Sequence, residues 1–310
     1  MPQGSILGPL LFLLYINDLC ECSTVLRFIL FADDTTLVAS HENFDSLVDL
    51  TNRELDYVAN WFIANEFIIN NSKTNVLYFS KRSISKNLSH TKLFIKDCQL
   101  NFSKSVRFLG ITLDDTLKYD EYRFEIRNKM SKNIGILCKL RSVLPEKHLF
   151  MLYNSLILPY INYCNIVWTG TGSTKLDAIY KLQKKALRIC TCSSYLASSC
   201  PLFYKLNTLN VFDIRKLQIA LLMFKCLNNI APKIISSWFI RNNAIHNYNT
   251  RSSNKLHFGE VRNDNSLRLV RHQGPRIWNN LSEYLVSCTN FRLFKNKLKS
   301  FYVSAYKNSN

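Results

Sequence analysis

Arg27-Phe28-Ile29-Leu30-Phe31-Ala32-Asp33-Asp34-Thr35-Thr36-Leu37-Val38-Ala39 sets two adjacent carboxylates between two apolar runs. Each run is rich in aromatic and β-branched residues and reads as a strand, so the stretch predicts a hairpin with Asp33 and Asp34 at its tip. Adjacent anions repel, and Asn-Gly or Asp-Gly makes an easier two-residue turn. Paired carboxylates suit a hard divalent cation, which takes oxygen ligands together with substrate phosphates. Two-metal phosphoryl transfer needs such groups to hold ions about 4 Å apart, one activating an attacking 3′ oxygen and one steadying pyrophosphate. Taken alone, the pair reads better as a solvated acidic turn, because a two-residue motif arises easily by chance.

Working outward, the apolar run Pro9–Leu19 predicts a helix with proline in its first turn, where a missing N–H costs little. Phe44, Val48, Leu55, Val58 and Phe62 recur at helical spacing, with Asp45, Asp49 and Asp56 off that stripe. Further strands are predicted over Asn75–Ser80, Lys92–Lys96 and Val106–Leu113. Helices mixed with short strands, without a βαβ rhythm, indicate the α+β class for residues 1–116.

Beyond Asp114-Asp115 the pattern becomes helical. Ile126, Met130, Ile134, Leu137 and Arg141 mark one side of a long helix, with Arg123, Arg127, Lys132 and Lys139 elsewhere on it. Pro145 opens a second helix through Ile157, which Pro159 closes. Leu176, Ile179, Leu182, Ala186 and Ile189 form another stripe beside Lys181, Lys184, Lys185 and Arg188. Cys192–Pro201 reads as a loop, Phe212–Leu227 as a helix, and 241–265 as a long polar loop. A last helix is marked by Phe291, Phe294, Leu298 and Phe301. The expected boundaries fall near 116 and 192, giving an α+β head, a helical region over 117–192 and a C-terminal helical region over 193–310.

Charge follows the same division. Residues 1–80 carry 3 basic and 10 acidic side chains, a balance of −7, within a chain of 310 residues whose net charge is +18. The remainder therefore stands at +25, which points to a polyanionic partner. A hydrophobic fraction of 47% excludes a disordered tail protein. The 10 cysteines lie mostly in apolar periodic segments, so ordinary buried thiols are expected in a reducing compartment rather than a disulfide framework. Cys190-x-Cys192 with Cys200 hints at zinc, but no histidine or cysteine follows at finger spacing. Histidines 41, 90, 148, 246, 257 and 272 show no metal-site spacing. No run approaches the roughly 20 apolar residues of a membrane span, and no signal peptide is evident, so an intracellular, nuclear or cytoplasmic location is expected and no membrane partner.

Longer motifs change the reading of Asp33-Asp34. Pro2-Gln3-Gly4-Ser5-Ile6-Leu7-Gly8-Pro9-Leu10-Leu11-Phe12, Tyr15-Ile16-Asn17-Asp18-Leu19 and Phe31-Ala32-Asp33-Asp34 resemble the reverse transcriptase of non-LTR retrotransposons, LINE-like elements of the jockey type. The resemblance continues through Asn70-Asn71-Ser72-Lys73-Thr74, Arg107-Phe108-Leu109-Gly110-Ile111 and Leu152-Tyr153-Asn154-Ser155-Leu156. It extends to Gln183-Lys184-Lys185-Ala186-Leu187-Arg188 and Trp278-Asn279-Asn280-Leu281, covering nearly the whole chain in order.

The resemblance implies an RNA-directed DNA polymerase with a partial palm followed by a helical thumb. It implies Asp33 as a metal ligand, Asp34 as support for that metal, and Mg²⁺, with Mn²⁺ as the alternative ion. Gln3, Gly4 and Ser5 match a box beside the incoming dNTP and the template, where a bare glycine backbone permits close approach. Lys73 matches a proton donor to the leaving pyrophosphate, with a solvated lysine at a strand start as the equal alternative. Phe108, Leu109 and Gly110 match a primer-grip hairpin, with plain strand packing as the alternative for Leu109. The basic helices would touch the phosphates of an RNA template, a DNA primer or their hybrid without reading sequence.

Two departures qualify this. No third carboxylate on a strand precedes Asp33, since Asp18 ends a helix, and the sequence starts inside the first box. The expectation is therefore a truncated, inactive polymerase fragment with an exposed sheet edge. The alternative is a non-catalytic nucleic-acid-binding remnant that uses its basic helices.

Overall fold

Residues 1–117 and 118–310 pack as two separate units in the computed structural model, which describes residues 4–80, 91–170, 172–245, 252–259, 267 and 269–307. The first unit is mixed α and β, and the second is helical.

In the first unit helix α1 spans Leu7–Ile16 and tightens into a 3-10 turn over Asn17–Cys22. It starts two residues before Pro9 because Ser5 Oγ accepts from the Gly8 N–H at 3.0 Å, satisfying a donor that the helix itself cannot. Strands β1 (Arg27–Phe31) and β2 (Asp34–Val38) pair antiparallel as predicted. Helix α2 (Phe44–Ala64) begins where the Asn43 side chain accepts from the backbone N–H groups of Asp45 and Ser46. One face of α2 buries Val58 with Ile16, Leu19 and Leu26, against which Phe28, Leu30 and Leu37 pack. Its neighbouring face buries Leu55 and Ala59 with Leu93, Ile95 and Leu100.

Of the remaining strands, β4 (Leu93–Ile95) falls within its expected run, while the others depart from the sequence expectation. β3 is only Asn75–Val76, because its parallel partner β5 (Cys98–Phe102) ends opposite Val76. β4 (Leu93–Ile95) turns through Lys96-Asp97 into β5, a strand whose sequence gives little warning. Lys96 takes φ 52°, so the reversal comes from cross-strand pairing rather than from a turn residue. The run Val106–Leu113, expected as one strand, is the hairpin β6 (Ser105–Phe108) and β7 (Ile111–Asp114). Leu109 at φ 44° and Gly110 at φ 80° make its two-residue turn, the positive-φ pair that matches strand twist.

In the second unit α3 (Asp120–Leu140) buries Ile126, Met130, Ile134 and Leu137 as the stripe requires. Arg141, at the end of that stripe, is exposed and donates to the Ser193 carbonyl. Arg123, expected off the buried side, is 4% exposed because its guanidinium meets the Asp120 carboxylate, which Lys175 Nζ also contacts at 3.0 Å. α4 (Glu146–Leu156) follows Pro145. Pro159 does not end the helical path but sits in the first turn of α5 (Leu158–Asn162), after which comes α6 (Asn165–Trp168).

α7 (Asp177–Cys190), α8 (Cys200–Lys205), α9 (Val211–Leu227) and α10 (Lys233–Ser236) continue the unit. Helices Val270–Asn279, Glu283–Val286 and Phe291–Ala305 complete it. In the last, Phe301 is exposed and the buried face runs from Phe294 and Leu298 to Val303. The expected boundary near 192 lies inside this unit and is bridged by Gln183. Its fully buried amide donates to Tyr153 Oη and the Leu209 carbonyl, each at 2.9 Å, and accepts from the Val211 N–H at 3.0 Å. Burial pushes the Tyr153 hydroxyl up to about 12.

The described ends of the polar loop are pinned rather than free. Arg241 bridges Leu256, and the Asn279 side chain pairs with both the N–H and the carbonyl of Leu256. Of the cysteines only Cys190 and Cys226 are buried, while Cys20, Cys138, Cys164 and Cys192 are exposed. The expectation of buried thiols therefore holds for a minority. No described helix is long and apolar enough to cross a membrane.

Two outcomes follow from these contacts. Gln183→Ala strands the Val211 N–H and the Leu209 carbonyl, and denaturant melts should show about 1–3 kcal/mol lost per group left unpaired. Desolvation alone would raise the Asp120 pKa, but hydrogen bonds from Lys175 and Arg123 outweigh it and hold the carboxyl below its ordinary value of 3.8. A depressed folded value means that this contribution is complete above the unfolded pKa and lost as pH falls through the folded one. Thermal melts of Asp120→Asn should therefore match wild type at the acid end and fall below it near neutrality.

Candidate functional site

Asp33 and Asp34 stand at the tip of the β1–β2 hairpin, where Phe31 pairs with Asp34 and leaves only Ala32-Asp33 to reverse the chain. Ala32 takes φ 51°, the left-handed region that a side chain with Cβ adopts at a cost of roughly 1–2 kcal/mol. Strain of this kind persists only where the surroundings over-determine the backbone. Both carboxylates are exposed, and among the described residues neither has an ion pair or a side-chain hydrogen bond. They are unengaged oxygen donors, the chemistry a hard divalent cation prefers. Asp34 opens the strand and Asp33 occupies the turn, so the pair does not form a closed cage. Among the described residues no group of three or more metal-ligating side chains comes together.

What fixes the hairpin is a polar anchor that the sequence did not announce. Ser23 donates its hydroxyl to Glu54 Oε2 at 2.7 Å, and Ser23 Oγ itself accepts from the Leu26 and Val25 N–H groups at 3.0 and 3.2 Å. Glu54 is 4% exposed, with Arg53 on its other oxygen at 3.3 Å. The chain entering β1 is thus tied to the middle of α2. Below it Phe28 and Leu30 face the α2 core, while Ile29 and Phe31 point the other way and are exposed. The only sequence signal for Glu54 is its place between Arg53 and Leu55 on the apolar side of a helix.

The other expected site residues lie on separate elements. Gln3 lies outside the described residues. Gly4 takes φ 91° with nothing within 4 Å of where a Cβ would stand, so its conformation, not crowding, favours glycine. Ser5 caps α1 through Gly8, a structural role that accounts for its hydroxyl. Lys73 is exposed in the turn before β3, its N–H bonded to the Asn70 carbonyl and its own carbonyl to the Asn75 side chain. Phe108, Leu109 and Gly110 form the end of the β6–β7 hairpin, with Leu109 in the turn rather than within a strand. No described strand pairing joins that hairpin to β1–β2. α1 carries Leu7, Leu10, Leu13 and Leu14 exposed, an apolar surface contiguous along one helix.

Residues 1–113 match the family model described as reverse transcriptase (RNA-dependent DNA polymerase). The chain is similar to a probable RNA-directed DNA polymerase from transposon X-element of Drosophila melanogaster, 26% identical over 225 residues, covering 69% of this chain and 24% of that protein. It is 24% identical over 201 residues to the RNA-directed DNA polymerase from mobile element jockey of the same fly, covering 61% of this chain and 21% of the relative. A retrovirus-related Pol polyprotein from the type-1 retrotransposable element R1 of Nasonia vitripennis is 22% identical over 202 residues, covering 61% and 59%. The chain thus spans about a quarter or less of the length of the first two relatives. No solved structure matches.

The anchor makes a direct claim about stability. Ser23→Ala removes the hydroxyl that holds a buried carboxylate and two backbone donors, and should cost about 1.5–3 kcal/mol in chemical melts of the first unit. Ser23→Thr, which keeps the hydroxyl, should recover most of that loss.

Proposed function

We propose, from the membership of residues 1–113 in the reverse transcriptase family, that this chain serves RNA-directed DNA synthesis by presenting Asp33 as the metal-binding carboxylate of a nucleotidyl-transfer site. The observation that carries this is the unpaired Asp33-Asp34 tip, held on a two-residue turn in strained backbone and anchored from beneath by Ser23 and Glu54. Mg²⁺, or Mn²⁺ in its place, would bring charge stabilisation of the transferring phosphoryl group. The chain's own parts are Asp33 as ligand, Asp34 as its supporting neighbour, Lys73 as proton donor to pyrophosphate, and Gln3, Gly4 and Ser5 beside the nucleotide and template. Phe108, Leu109 and Gly110 would hold the primer end.

Two carboxylates from one hairpin give too few ligands for two hexacoordinate ions, so catalysis calls for at least one more carboxylate than the described residues assemble. We read the 310-residue chain by itself as non-catalytic on that ground. A second reading, a binder of nucleic acid that performs no chemistry, is favoured by the +25 balance after residue 80. On α7 alone Lys181 and Lys185 are exposed, and Lys184 lies over the Tyr180 ring at 4.4 Å. Under either reading phosphates are the ligand, and an intracellular, nuclear or cytoplasmic setting suits it.

Primer extension on a primed RNA template with Mg²⁺ tests the non-catalytic assignment and the phosphate contacts together. The chain alone should bind the primed template, with affinity falling on a log–log salt slope near −0.7 to −0.9 per phosphate contacted. It should add no nucleotides. Extension abolished by Asp33→Ala would overturn the non-catalytic assignment, and binding indifferent to salt would overturn the phosphate contacts.

A further inference from the structure

Helix α1 reads Leu-Gly-Pro-Leu-Leu-Phe-Leu-Leu-Tyr-Ile and has no charged side chain over its 10 residues. Its one polar side chain, the Tyr15 hydroxyl, is engaged by the Asn65 carbonyl at 2.9 Å. An α-helix that is apolar on every face belongs in an interior. Only one face of α1 reaches one. Phe12 and Ile16, four apart, lie on the α2 core, and the Phe12 ring meets Phe67 edge-on at 6.3 Å. On the opposite face Leu7, Leu10 and Leu14 stand three and four apart and are 64%, 54% and 67% exposed. Ile6 and Leu13 flank them and are more than half exposed. Together these side chains offer on the order of 500 Å² of apolar surface, at the upper end of what a monomer leaves open.

The charges at the ends of α1 select what covers it. Its first turn has no acidic residue and its last turn no basic one. Asp18 and Glu21 follow directly in the 3-10 turn, both exposed and without an ion pair among the described residues. They stand at the end where the helix dipole is negative, so α1 itself repels them. A second α1 lying antiparallel brings its positive N-terminal end beside these carboxylates, and a two-fold axis makes the relief reciprocal. The same arrangement keeps the two acidic turns about 15 Å apart, one helix length, against a Debye length of about 8 Å at physiological salt. A lipid surface fits less well. The helix is half the roughly 20 residues of a membrane span, and anionic headgroups would meet Asp18 and Glu21.

We infer that the leucine face of α1 is a homodimer interface, in which α1 packs antiparallel on α1 of a second copy. Leu10 then lies near the two-fold axis, with Leu7 of each copy against Leu14 of the other. The two faces bury about 1,000 Å² in all, the lower bound for a specific interface, so the dimer is reversible and concentration-dependent. It adds an interaction surface to the proposed function and does not depend on it.

Sedimentation equilibrium of the full chain from about 1 to 100 µM provides the test, and wild type should dimerise within that range. Leu10→Arg sets two cations across the two-fold axis and should weaken the dimer about a hundredfold. Leu14→Gln should weaken it about tenfold by lost apolar burial. Both positions are exposed in the monomer, so thermal melts at low concentration should match wild type. Asp18→Asn and Glu21→Gln leave the apolar face intact and should each weaken the dimer about threefold. Wild type that stays monomeric to about 100 µM overturns the interface, and flotation of that monomer with phosphatidylcholine vesicles would give the face to lipid instead. A dimer unmoved by both Leu10→Arg and Leu14→Gln overturns the surface. A dimer unchanged or strengthened by Asp18→Asn and Glu21→Gln overturns the antiparallel pairing.

Discussion

The reversal between Phe31 and Asp34 is the constraint on which the first unit turns. Pairing those two residues leaves Ala32-Asp33 to close the hairpin, and Ala32 must then enter left-handed backbone. The strain is sustained because the strands on either side have no freedom to slip. A one-residue shift would move Phe28 and Leu30 off the α2 core and bring Ile29 and Phe31 onto it. Ser23 and Glu54 close the remaining degree of freedom by tying the entry of β1 to α2. The carboxylates project because nothing else can occupy the tip.

In the second unit the corresponding constraint is the satisfaction of buried polar groups. Gln183 is enclosed by apolar neighbours, and burying its amide would be costly without the three partners that it reaches on α4 and at the start of α9. The same logic seats Arg123 in the core side of α3, paired with Asp120, and joins the C-terminal Tyr306 to Asp213 at 2.5 Å. Many of the remaining cationic side chains, among them Lys181 and Lys185 on α7, are exposed, where hydration costs them nothing. Core and cationic surface thus arise from one sorting of the same helices.

Much of this was legible in the residues. The hairpin, α2, α3, α7, α9 and the last helix follow from period-two and helical spacing, and the family is carried by Pro2-Gln3-Gly4-Ser5, Phe31-Ala32-Asp33-Asp34 and the later boxes. What escaped depends on a pairing partner rather than on the residues' own pattern. β5 exists only because β3 and β4 pair with it, and its own composition favours no strand. The single strand expected over Val106–Leu113 splits because Leu109-Gly110 adopts positive φ under the pull of cross-strand bonds. Arg123 was placed on the solvent side by its charge, and the partner that allows its burial lies three residues away at Asp120.

By itself the sequence determined the mixed α and β character of the first unit, the helical character of the second, the similarity of its head to reverse transcriptases, and the division between an acidic head and a basic body. These depend on local pattern, residue chemistry and motif order, all present along one dimension. Only the tertiary structure decided that Glu54 and Ser23 anchor the hairpin and that Gln183 reaches Tyr153, Leu209 and Val211. Residues 20 to 50 positions apart meet through packing and hydrogen bonds, and no local propensity encodes which of them will meet.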